Sequence, residues 1–307
     1  MPNVWTHILF GERVLDKTGI IELTEETTPY FNFGTQGPDP FFYHNFWPWK
    51  SSKVTEVGDR IHHASCGAFL LELINYTKEH LQDERLVAFT TGFITHHILD
   101  RNTHPYINYR SGTEDNRHQK LEIIIDTLLM KRFKSIETWK TPVYKELAIG
   151  KTLHKPIETM LEKAVDTIFP DLHKEMPSGY VQQSYQHMQK ALKVLYDPSG
   201  WKNKLLKHRI HPFSYQKEIA PADYLNEEKT AWYHPAQPDE RHEETFLELM
   251  EQAEEEGVSL LQDLGAYWFK DDNEAFENLK EKLGNICYDT GKDLALGLEN
   301  RHFDPIL

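Results

Sequence analysis

Apolar residues recur every three to four positions through most of this chain, which is the spacing of amphipathic helices. Eight stretches follow it, at residues 5–17, 59–81, 84–104, from 113 or 114 onward, 154–168, 179–197, 240–262 and 273–296. Pro105 marks the expected end of the third stretch. No convincing stretch alternates in the manner of a strand. The pattern therefore predicts an all-α fold, a multi-helix bundle with a helical C-terminal extension.

Two segments interrupt the helical pattern. Residues 24–58 are rich in glycine, proline and aromatic residues and are expected to be irregular. Within them, Gly37-Pro38-Asp39-Pro40 predicts a sharp turn that holds Asp39 on rigid, non-helical backbone. The aromatic residues that follow, at 41–49, are expected to anchor this turn, with the lining of a pocket as the alternative. The proline-containing segment 212–238 predicts a long loop.

The third helix carries a polar stripe on an otherwise apolar surface. His96, Asp100 and His104 lie at positions i, i+4 and i+8, so they share one helical face. A buried carboxylate between two imidazoles is costly unless something compensates its charge. A divalent metal ion would do so, and a buried histidine–aspartate hydrogen-bond network is the alternative interpretation.

The next helix repeats this arrangement. His118, Glu122 and Asp126 again lie at i, i+4 and i+8, and side chains one turn apart can converge on one ion. Two such stripes on consecutive helices favour metal binding over packing. Asp126 is an expected hydrogen-bond acceptor for His118, and an ordinary core or surface carboxylate is the alternative.

Histidines are concentrated in the first part of the chain. The sequence has seventeen, and nine of them lie at or before position 118. His62 and His63 open the second long helix, where adjacent side chains point about 100° apart, so only one of them is expected to face a given site. We expect His62 to be that one, with His63 as its alternative.

Composition restricts the class of protein. The 307 residues carry a formal charge of −14, which argues against non-specific binding to nucleic acid or to an anionic membrane. No stretch approaches the roughly 18 apolar residues of a membrane span. Two distant cysteines, Cys66 and Cys287, form neither a disulfide framework nor a zinc knuckle. The first residues lack the pattern of a secretory signal, so a cytoplasmic location is expected.

These residues occur in an order that resembles a known family. The chain contains, in succession, Gly37-Pro38-Asp39, Gly58-Asp59-Arg60-Ile61-His62, His96-x-x-x-Asp100-x-x-x-His104-Pro105 and His118-x-x-x-Glu122. This ordered set resembles the bacterial zinc-dependent phospholipase C family over roughly residues 5–130. The same ligand order occurs in glycosylphosphatidylinositol-specific phospholipase D and, more distantly, in zinc-dependent single-strand nucleases.

The resemblance implies an all-helical fold with three metal ions in one cleft. The first site would use Asp39, His62, His96 and Asp100, and the second His104, His118 and Glu122. The third would use His7 and share Asp100 as a bridge. An N-terminal tryptophan completes the third site in the family, whereas Trp5 is internal here, so this site is expected to be weakened or built differently.

The implied activity is a metal-dependent phosphoesterase. It would hydrolyse a phospholipid or small phosphodiester with a metal-bound water, in a cleft of two or three metal ions. Asp39 is the expected general base, and Asp100 is the expected bridging carboxylate that sets the metal spacing. The alternatives are a zinc-dependent single-strand nuclease and a non-catalytic metal-binding protein derived from the same fold. A His-Asp-domain phosphatase is disfavoured because the sequence has no His-Asp dipeptide.

Zinc is the expected cofactor, as two or three ions. Histidine and carboxylate ligands without cysteine also suit iron, manganese or nickel. The expected partner is a small anionic phosphoester or a phospholipid, not nucleic acid, and the sequence leaves the oligomeric state open. We expect a metal-binding core at residues 1–135, with residues 136–307 packed against it as part of one large domain.

Overall fold

The computed structural model describes residues 4–47, 49–114 and 116–307, with the side chains of all of these except 206–210. Its α-helices are α1 (Val4–Thr18), α2 (Thr28–Gly34), α3 (Thr55–His63), α4 (Cys66–Lys78), α5 (Glu84–Ser111), α6 (Arg117–Lys134), α7 (Lys155–Ile168), α8 (Pro170–His173), α9 (Tyr180–Leu195), α10 (Trp201–Ile210), α11 (Phe246–Lys270) and α12 (Asn273–Leu283). Two short strands, β1 (Trp232–His234) and β2 (Gln237–His242), form an antiparallel hairpin. The fold is all-α, as the hydrophobic pattern predicts.

Helix α5 is the centre of the molecule. It packs against α1, α2, α6 and α11, and it is buried on nearly every side. Its N-terminus is capped by Asp83, whose carboxylate accepts a hydrogen bond from the Leu86 amide. A helix surrounded in this way must place any polar side chain against a partner, which is why the stripe on α5 is structurally informative.

Glycines allow α2 to lie directly on α5. A side chain at Gly34 would collide with the carbonyl oxygen of Phe89, and one at Gly92 would collide with that of Phe31. The two backbones therefore touch where neither residue carries a Cβ. This contact places the turn that follows α2, including Asp39, beside the middle of α5.

Pro105 does not end α5, contrary to the sequence prediction. The helix continues for six more residues to Ser111 with the proline inside it. The residues that follow, Tyr106 and Ile107, are fully buried, so their packing offsets the hydrogen bond that proline cannot make. The helix predicted to begin at Thr113 or Glu114 begins at Arg117.

The predicted helix 59–81 is two helices. Helix α3 ends at His63, and Ser65 takes a left-handed conformation with φ of 52° before α4 begins. The irregular segment 24–58 also contains more structure than the sequence suggested, since α2 lies within it. Asp39 is the first residue of a short 3₁₀ helix, Asp39–Tyr43.

The predicted loop 212–238 contains the first strand of the hairpin. Trp232 on β1 is buried, and its ring lies against the rings of Tyr106 and Tyr109 on α5. The hairpin thus covers the C-terminal end of the central helix. A three-residue strand with one register shift is too short to produce an alternating pattern, so it cannot be recognised from periodicity.

The C-terminal helices are tied to the N-terminal ones through buried polar groups. Glu254 on α11 is fully buried and pairs with Arg13 and Lys17 on α1. The guanidinium of Arg101 on α5 donates to the carbonyl oxygens of Lys282 and Leu283 at the end of α12. Among the described residues, no helix is both long and apolar enough to cross a membrane.

Candidate metal centre

Eight histidine and carboxylate side chains converge from five helical elements. They are His7 on α1, Asp39 on the 3₁₀ helix, His62 on α3, His96, Asp100 and His104 on α5, and His118 and Glu122 on α6. All of them except His96 line one open cleft of about 340 Å³. His96 is buried behind it, against Asp100. The structure therefore brings together every residue that the sequence predicted for the site.

Two groups of possible ligands share His96. One consists of Asp39, His62 and His96, and the other of His7, His96 and Asp100, with potential ligand atoms within 4.8 Å of one another. The Asp39 Oδ1 atom lies 3.5 Å from His62 Nε2 and 3.9 Å from His96 Nε2. Asp100 is grouped with His7, as the resemblance implied for the third site, and its Oδ2 atom lies 3.0 Å from Nε2 of His96, which belongs to both groups.

The third group contains His104, His118 and Glu122. The Glu122 Oε1 atom lies 3.1 Å from His118 Nε2 and 3.4 Å from His104 Nε2. Asp100 connects this group to the others, because its Oδ1 atom lies 3.2 Å from His104 Nε2 and 3.2 Å from His7 Nε2. One carboxylate at the centre of three imidazoles is the position expected of a bridge.

Two of the histidines are oriented by backbone carbonyl oxygens on their outer side. The Nδ1 atom of His62 donates to the Gly58 carbonyl oxygen and that of His96 to the Thr35 carbonyl oxygen, at 2.7 and 3.0 Å. A carbonyl oxygen only accepts, so these Nδ1 atoms carry the hydrogen and each Nε2 lone pair faces the cleft. Histidine ligands of metals are held in the same way.

Two buried atoms between the groups lack the partners that burial requires. Among the described residues, Nε2 of His96 and Oδ1 of Asp100 have no hydrogen-bond partner. The Nε2 atom lies 3.0 Å from Oδ2 of Asp100, but without the geometry of a hydrogen bond. Each such atom costs about 1–3 kcal/mol, and a divalent ion would satisfy both. The residues present therefore fit zinc, which binds imidazole nitrogen and carboxylate oxygen.

Burial keeps two of the imidazoles neutral at physiological pH. It lowers the pKa of His7 to about 4 and that of His62 to about 4. A neutral imidazole is the form that binds a metal. Burial also raises the pKa of Asp39 to about 6, so this carboxylate is a stronger base than an exposed aspartate.

Asp100 has the opposite environment. Burial acts to raise its pKa, but the imidazoles of His104, His96 and His7 outweigh that effect and hold the pKa well below its usual value. Correspondingly, burial acts to lower the pKa of His104, and Asp100 raises it well above the usual value instead. Without a metal, protons on the imidazoles compensate the buried carboxylate.

His63 and Asp126, which the sequence analysis also considered, lie outside the three ligand groups. His63 belongs to none of the three groups; it lies at the edge of the cleft, where its Nε2 atom is 2.7 Å from Asp289 Oδ2. Asp126 does not contact His118, so that expectation is wrong. It accepts hydrogen bonds from the backbone amides of Trp5 and Thr6 and from the Tyr215 hydroxyl.

The first part of the aromatic segment 41–49 supports the turn, as expected, whereas Trp49 is largely exposed. Phe41 and Tyr43 are buried, and Phe42 is its only described member that lines the cleft. The Phe42 ring lies 5.4 Å from that of His62. One aromatic side chain does not form a cage around a cation.

Sequence reasoning missed two polar residues of the cleft, Asn108 and Asp289. Asn108 Oδ1 lies 2.9 Å from His118 Nδ1, and Asp289 Oδ1 lies 3.1 Å from His104 Nδ1. Asn108 continues the stripe of α5 by one turn after His104, and a helix ending at Pro105 hid it. Asp289 has no ligand-like spacing to any histidine, so the sequence offered no signal for it.

Comparison of the sequence with models of known protein families identifies one family. A family model described as zinc dependent phospholipase C matches residues 6–179, which is more than half of the chain and includes all eight converging residues. Searches of the curated proteins and of the solved structures gave no match. On the strength of the family-model match, the chain belongs to the zinc-dependent phospholipase C family.

Proposed function

We propose that this protein is a metal-dependent phosphoesterase that hydrolyses a phospholipid or a small phosphodiester. The observation that carries the proposal is the convergence of three ligand groups on one open cleft, linked by Asp100 and His96. Its volume is near the lower end for small-molecule sites, which suits the phosphate and adjoining groups of a phosphodiester. The rest of a larger lipid would remain outside.

The groups would hold two or three zinc ions. Asp39, His62 and His96 would hold one, His104, His118 and Glu122 another, and His7 with Asp100 a third. When bound, zinc supplies a water activated near neutral pH and positive charge for the phosphate oxygens. Against three carboxylates, two or three divalent ions leave a net charge of about +1 to +3, which attracts an anion in an acidic protein.

The protein groups would orient the substrate and move the proton. Asp39 lies at the cleft wall, where a carboxylate oxygen that does not hold an ion would accept the proton of the attacking water as a general base. Asp100 would fix the spacing between groups, because it touches imidazoles of all three. The Phe42 ring offers an apolar wall for the non-phosphate part of the substrate.

The charge around the cleft favours a small substrate over a polynucleotide. None of the described residues that line the cleft is a lysine or an arginine. Nucleases and other nucleic-acid proteins bind the phosphate backbone through several such cations. We therefore place a single-strand nuclease second, and a non-catalytic metal-binding protein third.

The first test measures zinc content and hydrolysis in wild type and in His118→Ala. We expect two or three zinc equivalents in wild type, and one fewer in the variant because Glu122 and His104 cannot complete that group alone. Turnover of a chromogenic phosphodiester and of phospholipid vesicles should fall by at least about 100-fold. Inductively coupled plasma mass spectrometry and product release are the readouts.

The matched control is His302→Ala, which removes an exposed histidine outside the cleft. It should retain wild-type zinc and activity. Unchanged turnover in His118→Ala would contradict the phosphoesterase assignment. Full zinc content with no turnover on any phosphodiester, oligonucleotides included, would instead support the non-catalytic alternative.

A further inference from the structure

A short segment of the C-terminal part reaches the metal centre. The Asp289 segment, residues 286–291, lies beyond the residues that the family model matches. Its Asp289 carboxylate lines the cleft between two histidines from different helices. One oxygen lies 3.1 Å from His104 Nδ1 and the other 2.7 Å from His63 Nε2.

This carboxylate touches the outer nitrogen of His104, not the inner one. The inner nitrogen, Nε2, lies 3.2 Å from Asp100 and 3.4 Å from Glu122, where a metal would bind. An acceptor on Nδ1 fixes the tautomer, the ring orientation and the basicity of a histidine ligand. The other three oriented histidines use acceptors from the N-terminal part, namely Gly58, Thr35 and Asn108.

Asn108 belongs to the same network. Its side-chain oxygen lies against His118 Nδ1, and its amide nitrogen donates to the backbone carbonyl oxygen of Asp289 at 3.2 Å. The segment therefore supports both histidines of the His104, His118 and Glu122 group. It orients His104 through its carboxylate and His118 through Asn108.

The segment itself is held firmly against α5 and α3. The His97 Nε2 atom donates to the Ile286 carbonyl oxygen at 2.9 Å. The Tyr288 ring packs on the rings of His97 and His62, with centroids 4.4 and 4.7 Å apart. Gly291 approaches the backbone of Arg101 so closely that any side chain there would collide with it. A carboxylate on such a fixed backbone can hold a ligand in place.

We infer that Asp289 is a positioning residue of the His104, His118 and Glu122 metal site, and that the C-terminal part thereby completes this site. The inference rests on the metal centre of the proposed function, but not on phosphoester hydrolysis. Loss of such an outer carboxylate typically costs about 10- to 100-fold in metal affinity. Asp289→Ala should therefore weaken one zinc site by about that factor and leave the others unchanged.

The experiment is a competition titration of the full-length protein with zinc and a chromogenic chelator. It compares wild type with Asp289→Ala and Asp289→Asn, since asparagine keeps an acceptor oxygen and should recover part of the affinity. The Co²⁺-substituted proteins give a second readout, in which the visible absorption of one bound ion should change in Asp289→Ala. Neither measurement requires turnover.

Two further variants separate positioning from local structure. Asp293 lies just after the segment, and its exposed carboxylate accepts a hydrogen bond from the Ala295 amide. The Asp293→Ala variant should bind zinc like wild type. His63→Ala removes the other partner of Asp289 but leaves the His104 contact, and it should lose less than about threefold in affinity. Equal losses in Asp293→Ala and Asp289→Ala would mean a merely structural role and would overturn the inference.

The remaining outcomes are also decisive. Zinc affinity of Asp289→Ala within threefold of wild type would refute the positioning role while leaving the proposed function intact. A wild-type protein that binds no zinc would overturn the proposed metal centre together with this inference. Tight zinc binding without any hydrolysis would remove the enzymatic proposal alone.

Discussion

The imidazoles of the cleft are oriented before any ion arrives. The Nδ1 atoms of His62, His96, His104 and His118 each face an acceptor on the side away from the neighbouring ligand groups, so their Nε2 atoms point toward those groups. Rings fixed in this way lose little conformational freedom on binding. We expect tight metal binding for this reason.

A prediction about protons follows from the pKa values. Asp100 raises the pKa of His104 well above its usual value, against the effect of burial, so this ring carries a proton near neutral pH in the metal-free protein. Zinc requires neutral imidazole, so binding must release this proton. We expect about one proton per chain at pH 7, and an apparent affinity that falls about tenfold per pH unit as the pH is lowered.

Calorimetric zinc titrations in two buffers of different ionisation enthalpy measure the released protons. His104→Gln should release about one proton fewer, whereas the exposed-site variant His302→Ala should match wild type. A binding heat independent of the buffer would contradict the predicted protonation of His104.

At this scale the sequence predicted which side chains lie close together, but it did not predict their hydrogen-bond partners. Spacing alone placed His96, Asp100 and His104 on one face, because a helix has a fixed period. The predicted hydrogen-bond acceptor of His118 was wrong, because Asp126 accepts hydrogen bonds from the backbone of α1 instead. Partners depend on how helices pack, and one sequence carries no direct record of that.

At the scale of elements, the contact between α2 and α5 determines where the cleft lies. The paired glycines bring Thr35, just after α2, to the Nδ1 atom of His96. Gly37 has φ of 51°, and a side chain there would collide with the His96 ring. Gly34 and Gly92 therefore let α2 pack directly on α5, and Gly37 leaves room for the His96 ring beside the backbone.

Gly92→Ala tests this interface. The added methyl group would meet backbone atoms of α2, which cannot move aside as a side chain can. We expect destabilisation by about 2–3 kcal/mol in urea unfolding, together with weaker zinc binding because His96 loses its support. Chemical unfolding monitored by far-UV circular dichroism gives the free energy.

Gly265→Ala is the matched control on α11. Its methyl group would meet only the flexible side chain of Ile20, with the nearest atom at 3.1 Å. Alanine also favours a helix by about 1 kcal/mol relative to glycine. Its stability should therefore lie within about 1 kcal/mol of wild type. Equal losses in the two variants would show that the backbone contact of α2 with α5 has no special weight.

Local rules predicted most helices but misplaced several ends. Pro105 lies inside α5, because buried residues on both sides keep the helix intact. Conversely, Ser65 breaks a pattern that reads as one continuous helix. In both places the packing of the whole molecule overrides a preference that a short window of sequence expresses. The misplaced end of α5 had the larger consequence, because a helix that ends at Pro105 does not include Asn108.

At the scale of the whole molecule, one hydrophobic core joins the matched residues to the C-terminal part. A single cluster of buried side chains extends from Val4 to Tyr288 and includes residues of α1, α5 and α11. The buried Glu254 joins α11 to α1 through Arg13 and Lys17. These contacts support the expectation of one large domain, which the sequence could suggest only from length.

We therefore predict a single cooperative unfolding transition. Calorimetry of the metal-free protein should give equal calorimetric and van't Hoff enthalpies, and tryptophan fluorescence should change together with far-UV circular dichroism. Zinc at a hundredfold excess over its Kd should add about 2.7 kcal/mol to the free energy of unfolding for each site. Two resolved transitions, one of them insensitive to zinc, would indicate separate domains instead.

Sequence reasoning could assign no role to the C-terminal part. The family resemblance ended near residue 130, and the later helices carry apolar residues without ligand spacing. Asp289 reaches His104 across 185 positions of sequence, a separation that no local pattern spans. Only the assembled chain shows that this part touches the cleft.

The adjacent histidines at the end of α3 connect the floor of the cleft to its rim. His62 faces Asp39 inside, and His63, one residue later, faces Asp289 at the opening. The centroids of the two rings lie 6.1 Å apart. A small molecule that entered between His63 and Asp289 would therefore meet the second of these rings within one side-chain length of the first.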